Sequence, residues 1–337
     1  MLARIAQELF WLGRDLTRAE HTARILDGAF HADVAGAPGE RGVALSWEGV
    51  LATIGAKSPA PGEEEPAVAD APVAEDAAAA GGRGIFPPTI RNQVARLLTL
   101  DTENPASVVS CVARARERGR TMRDVISTEM WEALNSFYLL LGRYDLQAAL
   151  QTGPYSFYQE VKEHCALFWG LLDRTLLRDE GRAFLEAGGR IEEADMILRM
   201  LRVAIPAGPL EEGYETEALA LLHAVGGFQA YRRAVRVAPT VGPVIRFLLF
   251  DSAYPGSVAS SVEALSAALT AADAQPRSSQ PVLRLGRLIA DLELQRRAPD
   301  AGALERMLER VQDELELVDR DIDARYFAIA ALAAVHV

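Results

Sequence analysis

Lysine is almost missing from this chain. Lys57 and Lys162 are the only two among 35 basic residues, so positive charge is carried by Arg, a rigid and permanently charged fork. Cysteine is equally scarce: Cys111 and Cys165 cannot build a disulfide scaffold or a Cys-based zinc site. The five histidines, at 21, 31, 164, 223 and 336, show no HExxH or similar ligand spacing, and no metal site is expected. No apolar run reaches the roughly 18 residues of a membrane span. Arg4, Glu8, Arg14 and Asp15 interrupt the N-terminal apolar residues, which is unlike a secretory signal. No stretch alternates with period two, and no Walker loop, strand-linked GxGxxG or Ser-His-Asp signature occurs, so no cofactor is expected. Acids outnumber bases 47 to 35, giving a net charge of −12 and arguing against a nucleic-acid partner. A soluble, reduced, cytoplasmic protein without membrane contact is the expectation.

What is present is helical periodicity. Leu2, Ile5, Leu9, Leu12, Leu16, Ala19, Ala23 and Leu26 recur at spacings of three and four, predicting a helix over 1–30. The stretch 121–141 lacks Pro and Gly and reads as one helix. Pro154 suits the first turn of another, carrying Phe157, Val161, Phe168, Leu171 and Leu172. Residues 301–335 form a further long amphipathic stretch. Gly and Pro fall mostly between these segments. The segment 56–84 is nearly all Ala, Pro, Gly and acid, with six acids against two bases, and reads as a disordered loop holding a third of the net charge. The fold class is therefore all-α: a multi-helix bundle of ten or more helices and one disordered Ala/Pro/Glu-rich loop.

The chain also repeats itself. Residues 9–26 align with 184–201 at an offset of 175, matching Gly13 with Gly188, Ala19 with Ala194, Glu20 with Asp195, Arg24 with Arg199 and Leu26 with Leu201. Residues 96–112 align with 246–262 at an offset of 150, with eight identities in 17 positions, among them Asp101/Asp251, Pro105/Pro255 and Ser107/Ser257. The offsets differ by about the length of the 56–84 loop. A single domain over 1–337, made of related halves of about 1–150 and 151–337, accounts for both. Duplicated units tend to pack about a pseudo-twofold axis, which would let matching polar residues face one another.

Several constellations could carry chemistry. Glu20–Arg24 and Asp195–Arg199 are i,i+4 acid–base pairs. Each is either a helix-face ion pair worth about 0.3–0.5 kcal/mol or part of a functional charge network. Asp101 and Asp251 suit a helix–turn–helix corner, where Asp satisfies free backbone N–H groups and the following Pro starts the next helix. Glu129 and Glu132 at i,i+3, beside Arg123 and Trp131, could act as acid–base groups or metal ligands. The Glu-x-x-His pattern of di-iron bundles is missing. Asp179 and Glu180 precede a helix and complement its dipole. Arg232, in the run Tyr231–Arg236, could hold a phosphate or carboxylate, or simply be solvated.

Together these blocks resemble the bacterial alpha-E family. The carriers are MLARIAQELFWLGRDLTRAEHTARILD, NPASVVSCVARARERGRTMRDVISTEMWEALN, RDEGRAFLEAGGRIEEADMILRML, YRRAV at 231–235 and FLLFDSAYPGSV at 247–258. The resemblance implies an all-helical protein acting beside a circularly permuted ATP-grasp protein and a transglutaminase-like protein, in ATP-dependent peptide or amide ligation. In that setting Glu20, Glu129, Glu180 and Asp195 would be the catalytic candidates. Arg14, Arg24, Arg123, Asp179, Arg199 and Arg232 would bind substrate, and all of these residues except Arg232 are expected to converge in one cleft. The alternative is a non-catalytic interaction scaffold. The family's first motif reads Gly-Arg-x-x-Glu-Arg-Ala-Glu. Here Thr17 replaces its first Glu and His21 a following Asn; in the second copy Gly189 and Glu193 replace Arg, and Gly256 replaces Arg in a Pro-Arg-Ser sequence.

Overall fold

The computed structural model describes residues 1–34, 45–56, 88–144, 154–204, 215–297 and 304–328. All regular elements among them are helices: α1 Ala3–Val34, α2 Trp47–Ile54, α3 Pro88–Thr99, α4 Val108–Thr121, α5 Thr128–Leu141, α6 Tyr155–Thr175, α7 Glu180–Ala204, α8 Glu215–Ala224, α9 Phe228–Ala234, α10 Val241–Phe250, α11 Val258–Ala272, α12 Gln280–Arg297 and α13 Leu304–Ile322. A short 3₁₀ turn, Pro276–Ser278, precedes α12, and a π turn, Asp323–Phe327, follows α13. The expected loop lies, from residue 57 onward, outside the described residues.

Two boundaries differ from the sequence expectation. The helix expected over 121–141 is broken: α4 ends at Thr121, and α5 starts after Ser127, whose hydroxyl accepts the backbone N–H of Met130 at 3.2 Å. That bond satisfies one of the free donors at a helix start. Pro105 and Pro255 do not open helices either. They lie two residues before Ser107 and Ser257, which cap α4 and α11 through the N–H groups of Ser110 and Ser260. Asp101 and Asp251 do bond backbone donors at these corners, those of Glu103 at 2.9 Å and Ala253 at 3.1 Å.

Helices α1 and α7 form the most extensive helix–helix contact, and the others are arranged around it. At the crossing two glycines give the backbones room. A Cβ on Gly13 would strike the carbonyl of Leu185, and one on Gly188 would strike the carbonyl of Phe10. These four residues are equivalent under the 175-residue offset. The surrounding contacts come in matched pairs: α4 on α1 and α11 on α7; α5 on α4 and α12 on α11; α6 on α5 and α1, and α13 on α12 and α7. Helices α6 and α13 also share their buried stripe. Phe157, Tyr158, Val161, Cys165, Phe168 and Leu172 stand 150 residues before Met307, Leu308, Val311, Leu315, Val318 and Ile322. By these contacts α6 goes with α1–α5, and α13 with α7–α12. The short helices cross over, α2 packing on α7 and α8 on α1.

Candidate functional site

The polar chemistry gathers at the α1–α7 crossing, and it differs on its two sides. On one side Glu192 of α7 is fully buried and accepts bonds from Arg14 Nε at 2.9 Å and Arg18 Nε at 2.5 Å, both from α1. Arg14 also reaches both carboxylate oxygens of Asp319 on α13 at 2.9 Å and stacks 4.7 Å from the Trp11 ring. Burial alone would raise the Glu192 carboxyl, but the adjacent Arg18 and Arg14 outweigh it and hold it below the usual carboxylate range. This is a filled charged clasp.

The internal repeat places different residues at the equivalent positions on the other side. Arg14, Arg18 and Glu192 correspond to Gly189, Glu193 and Thr17, and Asp319 corresponds to Trp169. No clasp can form there. A cavity of about 380 Å³ opens instead, lined by Thr17, Glu20, His21 and Arg24 of α1, by Glu186, Gly189, Arg190 and Glu193 of α7, by Trp169 and Asp173 of α6, and by Tyr254 and Gly256 of the α10–α11 corner. The Trp169 ring takes the space above Gly189, where a Cβ would come within 2.7 Å of it. Tyr254 donates to the carbonyl of Val225 at 2.8 Å and forms the far wall. Burial lowers the His21 pKa below its ordinary value against the opposing pull of Glu193 and Glu20, so the ring is neutral at pH 7.

The chain matches, over residues 1–327, the model of a family described as a predicted alpha-helical domain with a conserved ER motif, Alpha-E. It belongs to the Alpha-E family. No curated protein and no solved structure matches it. By the resemblance drawn from the sequence, the Glu-Arg of the family pattern would align with 17–18 and 192–193 of this Alpha-E chain. Each copy retains half of it: Arg18 in the first, Glu192 in the second, and these two bond each other across the crossing. All five departures from the pattern, Thr17, His21, Gly189, Glu193 and Gly256, line the cavity.

The candidate residues do not converge in one cleft. Glu20 and Arg24 line the cavity, joined by bonds of 2.9 and 2.7 Å from Arg24 to Glu20 Oε1. Asp195 is buried outside the cavity lining, bonded to Gln312 of α13 and paired with Arg199 at 2.9 Å. Arg14 belongs to the clasp. Asp179 accepts the backbone N–H groups of Gly181 and Arg182, which makes it a helix-start residue of α7. Glu180 is exposed, as is Glu129 at the start of α5, and Arg123 is exposed over the Trp131 ring at 4.2 Å. Arg232 is exposed on α9, 5.7 Å from the Phe228 ring. Separate helices and loops carry these side chains, and only the recurrent pair on α1 reaches the cavity.

Arg24 and Arg199 share a structural task. Their Nη1 atoms each lie 3.4 Å from where a Cβ would stand on Gly226 and on Gly55. These glycines have φ of 70° and 75° and follow the C-terminal ends of α8 and α2, the two crossed-over helices. A guanidinium there meets the negative end of the helix dipole. Thr17, His21 and Glu193 stand in the sequence only as departures from the family pattern, and each otherwise reads as an ordinary helix residue. The offset of 175 carries the further signal for two of them, since Thr17 and Glu193 align with Glu192 and Arg18.

Among the described residues no three of His, Cys, Asp and Glu are grouped to hold a metal ion, and no helix is long and apolar enough to cross a membrane. Both cysteines are buried, and burial pushes the Cys111 thiol up to about 12, so neither offers a thiolate.

Proposed function

We propose that this Alpha-E chain is a helical component of an ATP-grasp-associated peptide- or amide-ligation system, in which the cavity beside Glu20 and Arg24 holds a reactant. The family resemblance supports the class of system. In this reading the circularly permuted ATP-grasp protein and the transglutaminase-like protein are its partners. The cavity supports the reactant-holding role and is the observation that carries it. A scaffold needs only filled, interlocked helices, as on the clasp side, whereas here an open chamber with titratable groups sits at the same crossing. Its size is within the range of small-molecule sites.

The direct test is ATP turnover by the ATP-grasp partner, measured alone, with this chain and with its Glu20→Gln variant. Turnover should rise with the wild-type chain and fall at least tenfold of that gain with Glu20→Gln, while partner binding is kept. Unchanged turnover on mutation, with binding intact, would favour the interaction scaffold.

A further inference from the structure

We propose that the cavity at the α1–α7 crossing binds a primary amine in its ammonium form, carrying an apolar or aromatic body. The inference rests on the cavity being a ligand site, but not on any partnership with an ATP-grasp protein.

The charges point to a cation. Four carboxylates, Glu20, Asp173, Glu186 and Glu193, line the chamber with two guanidiniums, Arg24 and Arg190, and Arg182 behind them bonds Asp173 and Glu186, which leaves an excess of one negative charge. Both guanidiniums are committed: Arg24 to Glu20 Oε1, and Arg190 to Glu193 Oε2 at 2.7 Å. An anionic ligand would have to break one of these pairs and would meet an excess of negative charge.

The open hydrogen-bonding capacity includes two charged acceptors. Arg24 takes only one oxygen of Glu20, and Arg190 only one oxygen of Glu193, which leaves Glu20 Oε2 and Glu193 Oε1 available. His21 and Thr17 are 9% and 5% exposed, line the cavity, and make no side-chain hydrogen bond among the described residues. A neutral imidazole offers one lone pair and one N–H, and a hydroxyl two lone pairs and one O–H. An ammonium carries three N–H donors, enough to engage both free carboxylate oxygens and one lone pair of His21 or Thr17. The indole of Trp169 and the ring of Tyr254 supply the apolar walls, and an aromatic face attracts a cation further.

Benzylamine, benzyl alcohol and benzoate share a shape and differ in charge. Titrated calorimetrically into the full chain at neutral pH, benzylamine should bind saturably at one site, at least tenfold more tightly than benzyl alcohol, with benzoate weaker still. Glu193→Gln and Glu20→Gln should each weaken benzylamine at least fivefold. Glu129→Gln, exposed on α5, should leave it unchanged. Thermal melts of each variant confirm folding. No saturable benzylamine binding, equal or tighter benzoate binding, or unchanged affinity in folded Glu193→Gln and Glu20→Gln would each overturn the proposal. Benzylamine binding without any effect of the chain on ATP turnover would keep the amine site and remove the ligation reading.

Discussion

Glu192 shows what a single side chain does in this molecule. Its carboxylate is fully buried, and its charge is sustained by Arg14 and Arg18 of another helix. Removing one partner of a buried pair leaves the other uncompensated, at a cost of several kcal/mol. Glu192→Gln should therefore lower stability by about 3 kcal/mol in urea unfolding. Thr17 stands at the equivalent position, and its hydroxyl has no hydrogen-bond partner among the described residues. Thr17→Val should stay within about 1 kcal/mol of wild type. Similar losses for both would contradict the division into a clasp and a cavity. The i,i+4 pairs Glu20–Arg24 and Asp195–Arg199 are legible in the sequence because both partners share one helix. The Glu192 clasp is not, since its partners lie 174 and 178 residues away and only the fold brings them together. The expected convergence of nine candidates fails for the same reason: helix periodicity says which residues share a face, not which faces meet.

At the scale of elements, periodicity carries most of the fold. The apolar spacing of α1, α6 and α13 marks three helices that the structure contains, and the repeated Asp-x-x-x-Pro-x-Ser corner marks two helix starts, shifted to the Ser. The break between α4 and α5 escapes the pattern because Met122–Ser127 holds no Pro or Gly, and the new start is marked only by the Ser127 cap. The end of α11 is tied to the π turn after α13 by Asp273, which accepts from Arg325 Nε at 2.5 Å, Tyr326 OH at 2.6 Å and the Gln275 N–H at 2.7 Å. The Arg325 bond, foremost, holds the Asp273 carboxyl far below the usual carboxylate range, against the effect of burial. A depressed folded-state pKa adds stability above the unfolded value of about 3.9, and that stability is lost as pH falls through the folded value. Asp273→Asn should thus lower the melting temperature by about 2–4 °C at pH 7, with the gap to wild type closing progressively below about pH 4. A gap that widens in acid would show that Asp273 is not stabilised as a carboxylate.

At the scale of the whole molecule, the contacts of α2 with α7 and α8 with α1 join the two sets of helices in both directions. Neither set contains the main surface on which its own short helix packs. Residues 1–177 and 178–337, expressed separately, should each lack a cooperative thermal transition by circular dichroism. Coexpressed, they should associate and recover one. A sharp transition from either fragment alone would show that the sets are independent domains. The duplication itself is legible in the sequence as two offsets, but the exchange is not. Helices α2 and α8 share no recognisable sequence match, and which surface receives them depends on the three-dimensional arrangement around Gly13 and Gly188.

The crossed-over α2 has a consequence for how the chain is made. Its sequence, WEGVLATI, is strongly apolar, and six of its eight residues are buried. About 125 residues separate its end from the start of α7, its main docking surface. At roughly 5–20 residues per second of synthesis, α2 leaves the ribosome on the order of 10 s before that surface exists. During that interval it is an exposed, greasy segment in search of a partner. Production of this protein should therefore respond to chaperone supply more than its final stability would suggest.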